Sequence, residues 1–66
     1  MKVYVNGVVR ELPEGLTFSD LLDILKLHPK RVAVECNKHI VRRAQFADAA
    51  LQADDKIEIV TLVGGG

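Results

Sequence analysis

The stretch that decides the fold is Ile57-Glu58-Ile59-Val60-Thr61-Leu62-Val63-Gly64-Gly65-Gly66, at the end of a 66-residue sequence. The first part of this stretch alternates and is rich in β-branched side chains, which predicts a strand. Glycine lacks a Cβ, so the last three residues predict a thin, flexible tail. We expect residues 1–63 to form one domain and residues 64–66 to form a tail that enters a partner's channel. The alternative is a frayed chain end without a function.

The beginning of the sequence predicts a β-hairpin. Lys2 to Val5 alternates in hydrophobicity, and Val8 to Leu12 is a suitable return strand. Between them stand Asn6 and Gly7, the residue pair that a type I′ turn prefers because both central positions need positive φ. The hairpin would place Val3 and Val5 on one face of the sheet.

A helix is predicted over residues 18–27. Thr17 is a suitable N-cap, and Asp20 stands three residues later, where a capping box needs an acceptor. The apolar side chains at the spacing of one helical face are Phe18, Leu21, Leu22 and Leu25. Pro29 disfavours helical geometry at His28, so the helix should end near Leu27. We expect His28 to act as a cation at the helix end.

The remaining elements are three further strands and one short turn of helix. The pattern predicts strands over Arg31 to Cys36, His39 to Arg43 and Lys56 to Leu62, with a helical turn over Ala44 to Ala47. Asp54 and Asp55 would form the turn into the last strand.

This order of elements, ββαββ, predicts an α+β fold of the β-grasp, or ubiquitin-like, class. The one main helix must cover the apolar face of a mixed sheet, since it has no other surface to bury against. A right-handed crossover then places the last strand parallel to the first. The predicted core consists of Val3, Val5, Val32, Val34, Ile57, Ile59, Phe18, Leu21, Leu22 and Leu25.

Alternation also predicts an apolar patch on the opposite face of the sheet. If Ile57, Ile59 and Thr61 point inward, then Val60 and Leu62 point outward. Tyr4 would share this outer face on the neighbouring strand. We expect Tyr4, Val60 and Leu62 to form a docking patch for a partner at the root of the tail.

Composition excludes several classes of function. Nine basic residues balance nine acidic ones, so nothing drives the chain towards nucleic acid or membranes. A chain of this size rarely encloses a pocket of the roughly 300–1,000 Å³ that small ligands need. The sequence has no phosphate-binding glycine motif, and His28 and His39 lack the spacing of a metal site. One cysteine fits a reducing cytoplasm. We therefore expect no bound cofactor, no metal and no catalytic residue.

The sequence resembles the ThiS family, the sulfur carriers of thiamin biosynthesis. The resemblance rests on Val5-Asn6-Gly7, the helix that begins after a threonine, and Ile57 to Val60 running on to the terminal glycines. It implies a carrier that is not itself an enzyme. An E1-like enzyme would use ATP to adenylate Gly66, and a sulfur-donating enzyme would help to convert it to a thiocarboxylate. Thiazole synthase would receive the sulfur.

The same resemblance implies roles for the other tail residues. Gly65 would be the required companion of Gly66, and Gly64 would lengthen the tip. The free carrier would be a monomer. Three alternatives remain open at this point: a carrier like the small subunit of molybdopterin synthase, a ubiquitin-like modifier, and a β-grasp interaction module that catalyses nothing.

Cys36 falls at the end of a strand on its inward face, which favours a small buried hydrophobe over a sulfur-carrying thiol.

A basic cluster around a turn consists of Lys38, His39, Arg42 and Arg43. A solvated surface is the first interpretation of this cluster, contact with an acidic partner is the second, and RNA binding is the third.

Overall fold

A computed structural model describes residues 1–62 of the chain. Its sheet has five strands, and its one α-helix is followed by two single turns of 3₁₀ helix. The strands are β1 (Lys2–Val5), β2 (Val8–Glu11), β3 (Val32–Cys36), β4 (His39–Val41) and β5 (Lys56–Thr61); the helices are α1 (Phe18–Leu25) and the 3₁₀ turns Pro29–Arg31 and Arg43–Gln45. The predicted tail, Gly64 to Gly66, lies outside the described residues.

The strands form one mixed sheet in the order β2-β1-β5-β3-β4. The central strand, β5, runs parallel to β1, and every other neighbouring pair is antiparallel. The predicted β-grasp fold is therefore confirmed, including the last strand lying beside the first. This topology leaves the strand that leads to the tail flanked by two others.

The β1–β2 turn has the predicted geometry. Asn6 has φ of 51° and Gly7 has φ of 81°, as a type I′ turn requires at its two central positions. Val5 then lies opposite Val8 in the antiparallel register. Val3 and Val5 are buried on the face that α1 covers.

Helix α1 begins as predicted and ends earlier. The Thr17 hydroxyl accepts a hydrogen bond from the Asp20 amide at 3.2 Å, and the Asp20 carboxylate accepts one from the Thr17 amide at 2.9 Å. The predicted end at Leu27 is wrong, because Lys26 adopts a left-handed conformation with φ of 60°. The Leu27 amide then donates to the carbonyl of Leu22, which closes the helix in the manner of a Schellman motif.

His28 is not the helix-end cation that the sequence predicted. It stands beyond α1 and caps the following 3₁₀ turn, where its Nδ1 accepts a hydrogen bond from the Lys30 amide at 3.1 Å. The cap replaces the predicted charge interaction because the helix ends before it reaches His28.

The core contains nearly all of the predicted residues and three that were not predicted. Val3, Val5, Val32, Val34, Ile57, Ile59, Phe18, Leu21 and Leu22 are buried, whereas Leu25 is only partly buried at the helix end. Leu12, Phe46 and Leu51 complete the core. Phe46 and Leu51 come from the long connection between β4 and β5. The Ser19 amide of α1 donates a hydrogen bond to the Phe46 carbonyl of this connection, and the Leu51 amide donates to the carbonyl of Leu16, just before the helix.

Other boundaries shift by one or two residues. The largest shift is in β4, which was predicted to reach Arg43 and ends at Val41. The predicted helical turn over 44–47 is a 3₁₀ turn over Arg43–Gln45, where the Gln45 side chain accepts a hydrogen bond from the Arg42 amide. Within residues 1–62, no helix combines the length and the apolar character that crossing a membrane would need.

Candidate functional site

The candidate site is the end of β5, from which the chain continues towards the glycines. Ile57 and Ile59 are buried, whereas Val60 is 60% exposed and Leu62 is 54% exposed. The predicted alternation is therefore confirmed from Ile57 to Val60, whereas Thr61, for which it predicted an inward side chain, is exposed. Two large apolar side chains face solvent at the end of the described chain, on the sheet face that α1 leaves uncovered. We call this uncovered face the outer face.

Strand β5 is held along its whole length by β3. Five residues of β3 lie opposite β5, from Val32 opposite Thr61 to Cys36 opposite Ile57. The Leu62 amide then donates to the Arg31 carbonyl at 2.7 Å, one residue beyond the assigned strand. The last described residue before the tail is thus fixed to the sheet on its β3 side.

The structure does not bring Tyr4 next to Val60 and Leu62. In the parallel register Tyr4 lies opposite Lys56. Val60 is four residues further along β5, about 13 Å away at roughly 3.3 Å per residue. Instead, Ala33 of β3 lies opposite Val60, and the exposed Val9 of β2 lies opposite Tyr4. The predicted patch is therefore divided into two apolar areas on the same outer face.

Charged side chains lie between these two areas. Glu35 and Glu58 are opposite each other on β3 and β5, and both are exposed. They line a surface depression of about 320 Å³ together with Lys38 and Lys56. A smaller depression of about 170 Å³ lies between Tyr4 and Glu58. Both depressions are open to solvent, so the outer face offers a contact surface of mixed charge and no enclosed site.

Two asparagines in hairpin turns hold β5 from the side. Asn6 donates from Nδ2 to the Ile59 carbonyl at 3.0 Å, and its Oδ1 accepts from the Ile59 amide at 2.7 Å. Asn37, in the β3–β4 turn, accepts from the Lys56 amide at 3.0 Å and donates to the Asp55 carboxylate at 3.0 Å. Both have positive φ, 51° and 52°. Asn37 therefore holds the first residue of β5, and Asn6 holds the middle of the strand.

Cys36 is half-buried and packs against the core, close to the predicted inward position. Burial, followed by the neighbouring Asp55 carboxylate, raises the pKa of its thiol to about 11. Because the thiolate is the nucleophilic form, this thiol is almost entirely unreactive near neutral pH. Cys36 does not have the environment of a sulfur-transferring cysteine.

The basic cluster lies at the β4 edge of the sheet. Lys38, His39, Arg42 and Arg43 are all exposed there. Among residues 1–62, no group of three or more His, Cys, Asp or Glu side chains is arranged to hold a metal ion. The ion pairs found in the same part of the chain join the N-terminal amine to Glu11 and Lys2 to Asp54, away from this cluster.

Sequence reasoning missed the side-chain roles of Asn6 and Asp55. The sequence predicts only turns at Asn6 and Asp55. Their hydrogen-bond partners, Ile59 for Asn6 and Asn37 for Asp55, are 53 and 18 residues away. The pattern Asn-Gly signals the turn itself, but nothing in a single sequence signals which distant strand the side chain will reach.

This chain is similar to a protein family, to named proteins and to a solved structure. The ThiS family model matches residues 3–66. The sulfur carrier protein ThiS of Bacillus subtilis is 44% identical over 50 residues, 76% of each chain. The thiazole synthase of Magnetococcus marinus is 42% identical over all 66 residues, although this chain spans only 20% of its length. A crystal structure of the thiamine biosynthesis protein ThiS from Geobacter metallireducens has a TM-score of 0.85, 30% identity and full coverage of both chains.

Proposed function

Because this chain belongs to the ThiS family, we propose that it is a sulfur carrier of thiamin biosynthesis, with the sulfur carried on the Gly66 carboxyl. The observation that carries this proposal is the extent of the family match, which continues through the tail to residue 66. The end of β5 supports it, since Val60 and Leu62 offer an apolar contact surface a few residues before the glycines in sequence.

The chemistry explains why a carrier would use its terminal carboxyl. A carboxylate is a poor electrophile because it already carries negative charge. Attack of the Gly66 carboxylate on the α-phosphate of ATP forms an acyl-adenylate and releases pyrophosphate. A hydrosulfide ion released by a sulfur-donating enzyme then attacks the acyl carbon, and the bond to AMP breaks, so that AMP leaves with the electron pair. The product is a thiocarboxylate, whose sulfur is a better nucleophile than the oxygen it replaces.

Catalysis in this scheme belongs to the partners. The ATP site would lie in an E1-like adenylating enzyme, and this chain would supply a folded handle and a tail. Gly64 and Gly65 would pass through a channel too narrow for side chains, because glycine alone lacks a Cβ. The reduced thiol of Cys36 is compatible with the cytoplasm as the site of action.

Thiazole synthase is the proposed acceptor of the sulfur. The support is the similarity of this chain to one fifth of the Magnetococcus marinus thiazole synthase, a protein named for that activity. The match to a thiamine biosynthesis protein of known structure points to the same pathway. These relatives favour the thiamin pathway over molybdopterin synthesis, which the sequence alone left open.

Substitutions in the tail test the proposal. Gly66→Ala and Gly65→Val should greatly slow ATP–pyrophosphate exchange by the adenylating enzyme and leave the fold intact. Ala53→Val is a suitable control, since Ala53 is exposed in a turn outside the tail. Exchange at the wild-type rate by both tail variants would contradict the proposal. So would a wild-type chain that supports no exchange.

A further inference from the structure

We infer that Asn6 is a positioning residue, whose side chain fixes the direction in which β5 presents the glycine tail to the adenylating partner. The inference rests on the proposed function. It concerns a residue in the β1–β2 turn, outside both β5 and the glycine tail in sequence. Its basis is the pair of hydrogen bonds that Asn6 exchanges with Ile59.

The backbone ladder between β1 and β5 is short. It pairs Tyr4 with Lys56 and Val5 with Ile57. The Asn6 amide adds one more bond, to the Ile57 carbonyl at 2.8 Å. The backbone then turns away into the hairpin, since Asn6 has φ of 51°. Backbone pairing on this side of β5 therefore reaches only to Ile57.

The Asn6 side chain continues the ladder where the backbone leaves it. A side-chain amide carries one carbonyl acceptor and one NH₂ donor, the same chemical groups as a peptide unit. Both are used, because Nδ2 donates to the Ile59 carbonyl and Oδ1 accepts from the Ile59 amide. Asn6 thus acts as one additional rung of the sheet, two residues closer to the tail.

Beyond Ile59, the pairing of β5 within residues 1–62 is with β3. Thr61 lies opposite Val32, and the Leu62 amide donates to the Arg31 carbonyl. Without the Asn6 side chain, β5 would have hydrogen bonds on both sides only as far as Ile57. Ile57 lies two residues before Ile59, which is about 7 Å along the strand at roughly 3.3 Å per residue.

This support matters for a reaction in which docking and tail insertion occur together. A strand held on both sides presents the following residues in a narrow range of directions. A strand held on one side samples more directions, and the additional ordering has to be supplied when the partner binds. Loss of the Asn6 rung should therefore weaken productive binding. It should not change the reaction of a tail that already lies in the channel.

Asn37 provides a matched control within the same chain. It has nearly the same φ, 52°, it lies in the other hairpin turn, and its side chain also makes hydrogen bonds near β5. Its partners are Lys56 and Asp55, at the end of β5 furthest from the tail, together with the thiol of the adjacent Cys36 at 3.7 Å. Glycine tolerates positive φ at either position, so Asn6→Gly and Asn37→Gly both preserve the turn and remove the side-chain bonds.

The test is ATP–pyrophosphate exchange by the adenylating enzyme, measured against carrier concentration for the full chain and both variants. For Asn6→Gly we expect KM to rise roughly five- to tenfold while kcat stays within about twofold of wild type, the pattern of lost binding without lost chemistry. Asn37→Gly should keep KM within about twofold. Hydrogen exchange at the Ile59 amide should accelerate in Asn6→Gly only.

Each alternative outcome has a definite meaning. An unchanged KM for Asn6→Gly, or an equal rise for Asn37→Gly, overturns the inference while the proposed function stands. No exchange by the wild-type chain overturns the proposed function and the inference with it. If circular dichroism shows that Asn6→Gly is unfolded, Asn6→Asp replaces it, because aspartate keeps the acceptor for the Ile59 amide and loses the donor. A smaller rise in KM then supports the inference, and a wild-type KM overturns it.

Discussion

The Asp55 carboxylate accepts a hydrogen bond from the Asn37 side-chain amide at 3.0 Å, and Asp55 is the buried charged residue of the part of the chain that the structure describes. Its second oxygen accepts from the Gln52 amide at 2.8 Å. The carboxylate therefore joins the turn before β5 to the β3–β4 turn. A buried carboxylate costs free energy unless hydrogen bonds compensate for the lost water, and here two donors do so.

Asp55→Asn should lower the free energy of unfolding by about 1–3 kcal/mol, because the new NH₂ group faces a donor and one hydrogen bond is lost. Urea denaturation measures the change. Asp54→Asn is the control. Asp54 is an exposed neighbour whose carboxylate makes a 3.9 Å ion pair with Lys2. Asp54→Asn should therefore lower the free energy of unfolding by less than about 1 kcal/mol. Equal losses for the two variants would contradict the structural role of Asp55.

The N-cap of α1 should contribute measurably to stability. Thr17→Ala removes the hydroxyl that accepts from the Asp20 amide, which should cost about 1 kcal/mol. Ser19→Ala is a control inside the same helix, since the hydrogen bond of Ser19 to Phe46 is made by its backbone amide. Comparison of urea midpoints checks the prediction. A Thr17→Ala variant as stable as Ser19→Ala would refute it.

Cys36 should be a poor nucleophile. With a thiol pKa of about 11, its alkylation by iodoacetamide should be slow at pH 8 and should accelerate with each unit of pH up to about 11. Cys36→Ser should still receive and transfer sulfur. Rapid alkylation near neutral pH, or loss of transfer in Cys36→Ser, would show that the thiol takes part in the chemistry.

The same pKa shift predicts a pH dependence of stability. The pKa of the folded state is raised from its ordinary value of 9.0, so folding favours the protonated thiol. That contribution is fully present below about pH 9 and is lost as the pH rises through about 11. Between these values, wild type should lose stability more steeply than Cys36→Ala. If the melting temperatures of wild type and Cys36→Ala fell equally over this pH range, the raised pKa of the Cys36 thiol would be contradicted.

The outer face at the end of β5 should be a docking surface. Val60→Asp and Leu62→Asp place a charge on the two exposed apolar residues before the tail and should raise the KM of adenylation by about tenfold or more. Val8→Asp is the control, since Val8 is 61% exposed and lies opposite Val5, on the other face of the sheet. If the Val8 variant is impaired as much as the Val60 variant, docking on the outer face is excluded.

The fold could be predicted because its signals are local. Asn6-Gly7 specifies a turn, Thr17 and Asp20 specify the start of a helix, and the alternation from Lys56 onwards specifies a strand. Each is a property of neighbouring residues and needs no knowledge of the rest of the chain. The helix end was missed because a left-handed cap usually carries glycine, whereas here Lys26 adopts it.

The contacts of the site could not be predicted in the same way. The distance between Tyr4 and Val60 depends on the register of two strands that are far apart in sequence. The burial of Phe46 depends on how the connection between β4 and β5, which has no helical or strand-like spacing of apolar residues, packs against the core. Such features follow from tertiary packing, which a single sequence does not reveal.

The central claim, that sulfur is carried on the Gly66 carboxyl, is tested most directly by mass spectrometry of the intact protein isolated from its native cell. The account predicts a fraction in which one oxygen is replaced by sulfur, localised to Gly66 by fragmentation, and absent from cells without the adenylating enzyme. A protein that carries its sulfur on Cys36, or a Gly66 carboxyl that never contains sulfur, would contradict it.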